Sequence, residues 1–219
     1  DIVFENFNAA CYGDHILGQS ILGTTDSVSS FSRDELRAFM DRHYGTAQMF
    51  VCASGKLDHD QLVRMCENRL SSVSKTTLHA RSTPEWKGQT KIVERELEQC
   101  HVVFGLPAPS ATSAERYALL VLSNIYGGGM SSRLFQQVRE ERGLCYSIFS
   151  FGQLISDTGV FGVYAGTSEE SLNEMLEVSA RAFGDVASSV SDVEMARART
   201  QLKASVMMGL DSSTALNEH

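Results

Sequence analysis

The residues best placed to do chemistry lie in "GGGMSSRLFQQVREERGLCYS", residues 127–147. The pattern predicts a helix after the three glycines, with an apolar stripe made of Leu134, Phe135 and Val138. Arg139 follows at the edge of that stripe, and Tyr146 begins a predicted strand just after the next glycine. These two side chains can therefore converge on one spot and contact a substrate. The same pattern also fits a capped surface helix followed by a core tyrosine, and the residues alone leave both interpretations open.

The spacing of the histidines predicts no metal ligand in this chain. The six histidines are His15, His43, His59, His79, His101 and His219, and none stands in H-E-x-x-H or in H-x-x-E-H. The nearest approach is "ALNEH" at the end of the sequence, where Ala215 takes the place of a first histidine. Two imidazoles one helical turn apart are needed to reach one zinc ion. No catalytic residue is predicted either, because there is no G-x-S-x-G elbow, no phosphate-binding loop and no cysteine in an electropositive setting.

Composition excludes several classes of partner. The chain has 219 residues, of which 42% are hydrophobic, and a net charge of -8 at pH 7. An acidic chain without a basic cluster predicts no binding to nucleic acid, and no apolar run approaches the ~18 residues needed for membrane insertion. Five scattered cysteines indicate reduced thiols in a reducing compartment. The first residue is Asp1 and no signal-peptide pattern follows, which favours a processed chain or an excised fragment.

Helices and strands that must position these residues can be assigned from caps and periodicity. Capping boxes at "SRDE" (32–35), "TSAE" (112–115), "TSEE" (167–170) and "SDVE" (191–194) each predict a helix start, as do Asp58 and Ser131. Strands are predicted at 48–54, at 91–107, and in "YSIFSFGQLI" and "VFGVYAGT", which the turn "SDTG" separates. The grouping of paired strands and paired helices predicts an α+β fold, a mostly antiparallel sheet with helices packed on one face.

The polar stretch 71–90 divides the chain. It is rich in serine and threonine and has no periodicity, so we predict residues 1–74 and 91–219 in separate domains with a linker at 75–90. Trp86, the only tryptophan, is expected to anchor this linker to a neighbouring surface.

Two segments carry a family resemblance. "GGGMSSRLFQQVREERGLCYSIFSF" closely resembles a signature of the zinc metallopeptidases that include pitrilysin, insulin-degrading enzyme and mitochondrial processing peptidase. "HILGQSILGTTDSVSSFSRDELRAFMDRHYGTAQMFVCASGKLDHDQL" resembles the segment that precedes it in that family. The match runs in order over nearly the whole chain. Within the family, the sequence most resembles the bacterial and mitochondrial processing-peptidase-like members.

The resemblance implies a fold and a placement. It implies processing-peptidase-like metallohydrolase domains in two lobes that close around a peptide bound as an added strand. The family's zinc motif, H-x-x-E-H plus a later glutamate, belongs upstream of Asp1. Residues 1–74 are then the end of the first, zinc-bearing domain, and 91–219 are the second, non-zinc domain, truncated at its C-terminus. Zinc is expected in the intact protein and none bound by this chain.

The resemblance also implies roles. The family's substrate-binding arginine and tyrosine fall on Arg139 and Tyr146, and Cys145 stands where the family often has alanine. The pair would orient a peptide carbonyl and stabilise its negative charge during hydrolysis. Expected partners are a peptide substrate and a second subunit in a homo- or heterodimer, in the bacterial cytoplasm or alternatively the mitochondrial matrix. The rival interpretation is a non-catalytic assembly or binding subunit homologous to processing peptidases.

Overall fold

The computed structural model describes residues 2–47, 49–76 and 81–218, and these form eight α-helices and three strands. The helices are α1 (Ile2–Tyr12), α2 (Thr25–Ser30), α3 (Arg33–His43), α4 (His59–Leu70), α5 (Arg116–Gly127), α6 (Leu172–Ser188), α7 (Asp192–Gly209) and α8 (Ser213–Glu218). The strands are β1 (Cys100–Ala108), β2 (Cys145–Leu154) and β3 (Gly159–Thr167). A 3-10 turn spans Ile16–Gly18, and a π-helical segment spans Phe135–Glu140. The predicted α+β fold class is confirmed.

Several helices begin at the predicted caps. Ser32 Oγ accepts a hydrogen bond from Glu35 N at 3.3 Å, and the Glu35 carboxylate accepts one from Ser32 N at 2.8 Å. Ser191 and Glu194 repeat this box at 3.3 and 2.9 Å. Asp58 accepts from Gln61 N at 2.8 Å. Each cap satisfies an amide that the first turn of a helix leaves without a partner, which is why these starts follow from sequence.

Two predicted helix starts are wrong by several residues. The helices expected from Thr112 and Thr167 begin at Arg116 and Leu172. The threonine hydroxyls are used elsewhere: Thr112 donates to Ser156 O at 3.2 Å, and Thr167 donates to Leu144 O at 2.6 Å. A tertiary hydrogen bond therefore replaces the local cap in both cases.

The sheet has the order β1-β3-β2, and both pairs are antiparallel. The predicted turn between β2 and β3 is present and is closed by a hydrogen bond from Ile155 N to Thr158 O at 2.8 Å. Because side chains alternate along a strand, Phe161, Val163 and Ala165 share one face of β3. Those three residues join the main hydrophobic core.

Helices α5 and α6 and the π-helical segment supply the other half of that core. Its fully buried members include Leu134, Val138, Met175 and Ala182. Tyr126 brings a hydroxyl into the same core and donates it to Ser179 O at 2.8 Å. Burial raises the pKa of Tyr126, so its ring remains a neutral hydrogen-bond donor.

The opposite face of the sheet carries α1. Gly105 lies under Phe7, and a Cβ at Gly105 would come within 2.5 Å of the Phe161 carbonyl oxygen and 2.8 Å of the Phe7 ring, so a glycine is needed both for the pairing with β3 and for the approach of α1. The segment that follows residue 83 is fixed to the end of α1. Trp86 packs edge-on against Tyr12 at 6.3 Å between ring centroids, and Lys87 N donates to Cys11 O at 2.7 Å. The predicted anchoring by Trp86 is confirmed.

One predicted strand is absent over the residues described, and another is present but shorter than predicted. Residues 49–54 form neither helix nor strand, and Gln48, where that strand was expected to begin, lies outside the described residues. Within 91–107 the strand begins only at Cys100. The apolar composition favoured strands, but a strand also needs a hydrogen-bonded neighbour, and these segments have none in the described ranges. Phe50 and Ile92 are accordingly 88% and 82% exposed.

The described residues group into two compact units. One comprises Asp1–Ser20 and Thr83–Ala204 and contains the sheet, and the other comprises Ile21–Ser82 and Ser205–His219. In the second unit, α2, α3 and α4 bury no residue completely. The division into 1–74, 75–90 and 91–219 concerns domains of a longer protein and stays a prediction. Among the helices described, none is both long enough and apolar enough to cross a bilayer.

Candidate substrate-binding site

The helix that carries Arg139 changes its hydrogen-bond register part-way along. It begins at Arg133 and takes the π form over Phe135–Glu140. Its cap is Ser132 rather than the predicted Ser131, since Ser132 Oγ accepts from Phe135 N at 3.4 Å. Glu141 N donates to Gln136 O, five residues back, at 2.9 Å. π-Helical turns are uncommon and recur at functional sites.

A glycine ends this helix and returns the chain to the sheet. Gly143 has φ +64, the left-handed conformation that only glycine adopts without strain. Gly143 N donates to Arg139 O at 3.0 Å, and Leu144 N donates to Val138 O, also at 3.0 Å. These bonds satisfy the last carbonyls of the helix and hold the following residue against it. The first residues of β2 therefore lie beside the turn that bears Arg139.

Tyr146 is the extra residue of a β-bulge. Cys145 pairs with Thr167 and Ser147 pairs with Gly166, so Tyr146 has no partner across the ladder. In a regular strand Tyr146 would share the face of the buried Ile148, because side chains two apart point the same way. The bulge turns it outward, and Tyr146 is 79% exposed. The interpretation of Tyr146 as a core residue is wrong.

The Arg139 guanidinium lies over two aromatic rings and has no polar partner among the residues described. Its guanidinium carbon is 4.6 Å from the centroid of Phe135 and 5.7 Å from that of Tyr146. No hydrogen bond or ion pair involves its side chain among the residues described. Stacking on aromatic faces fixes the plane of a guanidinium while leaving its N–H groups directed outward. The site therefore combines unused donors from Arg139 with an exposed phenol from Tyr146.

The neighbouring arginines have different surroundings. Arg133 forms a two-pronged ion pair with Glu194, at 2.7 and 3.0 Å, and donates to Ser189 O at 2.7 Å. Arg142 is exposed and donates to Gln137 O at 2.6 Å and to Glu141 at 3.2 Å. Both side chains therefore form hydrogen bonds that stabilise helix ends. Arg139 forms no such hydrogen bond with the residues described.

Cys145 contributes no nucleophile to this site. Its side chain is buried, and burial raises the pKa of its thiol, although the nearby charge of Arg139 acts in the opposite direction. A neutral thiol is a poor nucleophile, so Cys145 acts here as a small packing residue.

Three of the four histidines described in the structure have separate local contacts. His15 accepts from Leu17 N at 3.2 Å, His43 packs 4.4 Å from the Phe39 ring, and His101 shares a hydrogen bond with Tyr164 at 2.8 Å. His79 and His219 lie outside the described residues. Across residues 2–47, 49–76 and 81–218, no three histidine, cysteine or acidic side chains are grouped so as to hold a metal ion. The residues described therefore do not fit a zinc centre.

The sequence predicted Arg139 and Tyr146 as a pair but not the features that bring them together. The glycine at 143 was a usable signal for the helix end. The π-helical register, the bulge at Tyr146 and the hydrogen bond from Thr167 carry no local sequence signature, since each depends on the sheet packing against the helix. The roles of Arg139 and Tyr146 stay predictions.

Comparison with known proteins identifies the family. The profile of the "Peptidase M16 inactive domain" matches residues 30–202. The chain belongs to the M16 peptidase family. Proteins named uncharacterized zinc protease are similar over nearly all of its length. One from Streptomyces coelicolor is 36% identical over 99% of this chain and 49% of its own, and one from Bacillus subtilis is 31% identical over 98% and 53%. The resemblance to zinc metallopeptidases is thereby confirmed, and the chain spans about half the length of these M16 relatives.

Solved structures show the same fold. A chain of complex III2 from Candida albicans, with Inz-5 bound, superposes with a TM-score of 0.90 at 22% identity, covering 99% of this chain and 54% of that one. A protease from Helicobacter pylori superposes with a TM-score of 0.84 at 20% identity, covering 98% and 54%. At these identities the similarity establishes the M16 fold alone.

Proposed function

We propose that this chain is the substrate-contacting part of a longer M16 zinc metalloendopeptidase, in which Arg139 and Tyr146 bind the carbonyl of the peptide bond to be cut. The observation that carries the proposal is the Arg139 guanidinium, which lies over the rings of Phe135 and Tyr146 and makes no hydrogen bond with the described residues, beside an exposed phenol. The names of the relatives at 31–36% identity support a peptidase that uses zinc.

The chemistry of the pair suits peptide hydrolysis. A peptide carbonyl oxygen gains negative charge when its carbon is attacked, and donors held in place beforehand stabilise that charge more than they stabilise the ground state. Arg139 supplies a permanent cation with several N–H groups, and Tyr146 supplies a neutral hydroxyl. Neither residue has to leave a structural hydrogen bond in order to bind the carbonyl.

The proposal assigns no metal ligand to this chain. The described residues hold no suitable cluster, so the zinc requirement belongs to the longer protein and no step of the reaction is assigned through zinc here. A peptide substrate, a dimeric assembly and a cytoplasmic location are likewise parts of the proposal for that longer protein.

A second candidate is a non-catalytic subunit that binds or assembles with other chains. The fold similarity to a chain of complex III2 from Candida albicans supports it. In that case the Arg139 and Tyr146 pair would contact a partner without cutting it.

Substitution of the pair in the longer, zinc-loaded protein tests the proposal. We expect Arg139→Ala and Tyr146→Phe each to lower turnover about 100- to 1000-fold, the usual effect of removing one donor to a developing oxyanion. Melting temperatures should change little, because Arg139 has no polar partner and phenylalanine keeps the ring of Tyr146.

Arg142→Ala is the matched control. It removes an arginine three residues away whose bonds are confined to the helix end, so it should cost some stability and leave turnover intact. Wild-type turnover in both Arg139→Ala and Tyr146→Phe would return these residues to a structural role. A wild-type protein that binds peptides and never cuts them would favour the non-catalytic subunit.

A further inference from the structure

Thr167 places a buried hydroxyl at the end of the central strand. Its side chain is 3% exposed, and its Oγ donates to Leu144 O at 2.6 Å. A second acceptor, Ser168 O, lies at 3.4 Å. Thr167 is also the residue that Cys145 faces across the ladder, immediately before the bulge. The hydroxyl therefore fixes the strand at the point where its regular pairing is interrupted.

Leu144 is held from both sides. Its N–H donates to Val138 O in the π-helical segment, and its carbonyl accepts from Thr167 in β3. Leu144 is itself buried, so water is not a ready substitute partner for that carbonyl. The peptide unit of Leu144 thus ties the turn that carries Arg139 to the strand against which Tyr146 bulges.

We propose that Thr167 is a positioning residue, which holds Tyr146 at the bulge and beside Arg139 through its bond to Leu144 O. In this proposal Thr167 acts through Leu144 and Tyr146 rather than by contacting the substrate. Its kinetic consequence rests on the proposed function, whereas its effect on geometry does not. A misplacement of about 1 Å in a catalytic group can cost on the order of 100-fold in rate, so this bond has a measurable consequence for turnover.

The geometric part can be tested on the 219-residue chain by NMR. Thr167→Val keeps the shape and removes the hydroxyl, and Thr167→Ser keeps the hydroxyl. We expect Thr167→Val to shift or broaden the Tyr146 ring and Arg139 Nε–H resonances. In Thr167→Ser these resonances should stay at their wild-type positions, because serine keeps the hydroxyl. The Arg133 Nε–H, which is paired with Glu194 at 2.7 Å, serves as the internal control and should not move. Unchanged Arg139 and Tyr146 resonances in a folded Thr167→Val protein would overturn the inference.

A measurement on the wild-type chain tests the inference even if Thr167→Val does not fold. If the Leu144 bond holds the bulge, the Tyr146 amide should be as rigid as the amides of β3, with NMR order parameters of about 0.85. A Tyr146 amide as mobile as an open loop, below about 0.6, would overturn the inference without any substitution.

The kinetic part uses the longer, zinc-loaded protein. We expect Thr167→Val to lower kcat about 10- to 100-fold with a smaller change in KM, and to lose most of that effect in a Tyr146→Phe background. The drop in melting temperature should be the same in both backgrounds. Equal losses of kcat in both would mean that Thr167 does not act through Tyr146. If Tyr146→Phe and Arg139→Ala are themselves harmless, the proposed function fails, and the NMR result still decides the positioning inference.

Discussion

Arg133 and Arg139 lie on the same helical segment, and their surroundings give them different properties. The guanidinium of Arg133 is largely buried and paired with Glu194, which also caps the start of α7 through Ser191. Arg139 has ring faces around it and no carboxylate. A paired arginine stabilises the fold, whereas a stacked one with free N–H groups remains available to a ligand. Residue type alone does not separate these two roles.

The Arg133–Glu194 pair predicts a pH dependence of stability. Hydrogen bonds from Arg133 are the main cause that lowers the pKa of Glu194 from 4.5 to about 2. A carboxylate with a lowered pKa in the folded state stabilises the fold above the unfolded pKa, and that contribution is lost as pH falls through the folded pKa. At neutral pH it is on the order of 3 kcal/mol, because one pKa unit corresponds to ~1.4 kcal/mol.

Glu194→Gln should therefore be less stable than wild type at pH 7. The difference in free energy of unfolding should shrink as pH falls from 4.5 toward 2. Urea unfolding of both proteins at several pH values measures this difference. A gap that stays constant over that range would show that Glu194 contributes by packing rather than by its charge.

At the scale of elements, the helix end at Gly143 requires a left-handed backbone conformation, and the cost of this conformation can be measured separately from any steric clash. Its φ is +64, yet a Cβ at this position would meet nothing within 4 Å. Gly143→Ala should therefore cost about 1–2 kcal/mol from the left-handed conformation alone. Gly129→Ala is the matched control, because Gly129 also has open space around it and does not have a positive φ. Chemical denaturation of both variants measures the difference, and equal stabilities would contradict the backbone explanation.

The elements that sequence predicted correctly are those whose signals are local. The boxes at Ser32 and Ser191 satisfy amides within one turn, and the hairpin of β2 and β3 needs only its own alternation and the turn between. Residues 49–54 and 91–99 have the composition of strands and lack a partner in the described ranges, so composition alone misled. The π-helical turn and the bulge arise where the helix and the sheet must be joined within a few residues. These two features could therefore be identified only from the three-dimensional structure.

At the scale of the whole molecule, the segment after Ser71 is the expected place for cleavage. Lys75 and Arg81 are exposed, while Lys87 has its amide bonded to Cys11 O and follows the anchored Trp86. Brief trypsin treatment should therefore cut after Lys75 or Arg81 before it cuts after Lys87. Mass spectrometry over a time course identifies the order. Early cleavage at Arg139, ahead of both, would contradict the predicted linker.

The two fragments of the cleaved chain should remain associated. Helix α1 packs on the sheet through Phe7, so the two fragments should co-elute in size-exclusion chromatography without denaturant. Replacing Lys75 and Arg81 with glutamine is the control, since it should delay the first cut and leave later cuts unchanged. Separation of the fragments would show that α1 contributes little to holding the sheet-containing unit together.

The docking of α1 also has a consequence for how the protein is made. Helix α1 ends at Tyr12, and the strands on which it packs begin at Cys100 and end at Thr167. During translation the helix is made well before its partner strands, and at roughly 5–20 residues per second the delay until the end of β3 is about 8 to 30 seconds. Through that interval Phe7 and Cys11 lack the sheet on which they pack in the folded chain. The nascent chain is thus most open to chaperones and to aggregation before β3 is complete, and the last strand of the sheet closes that period.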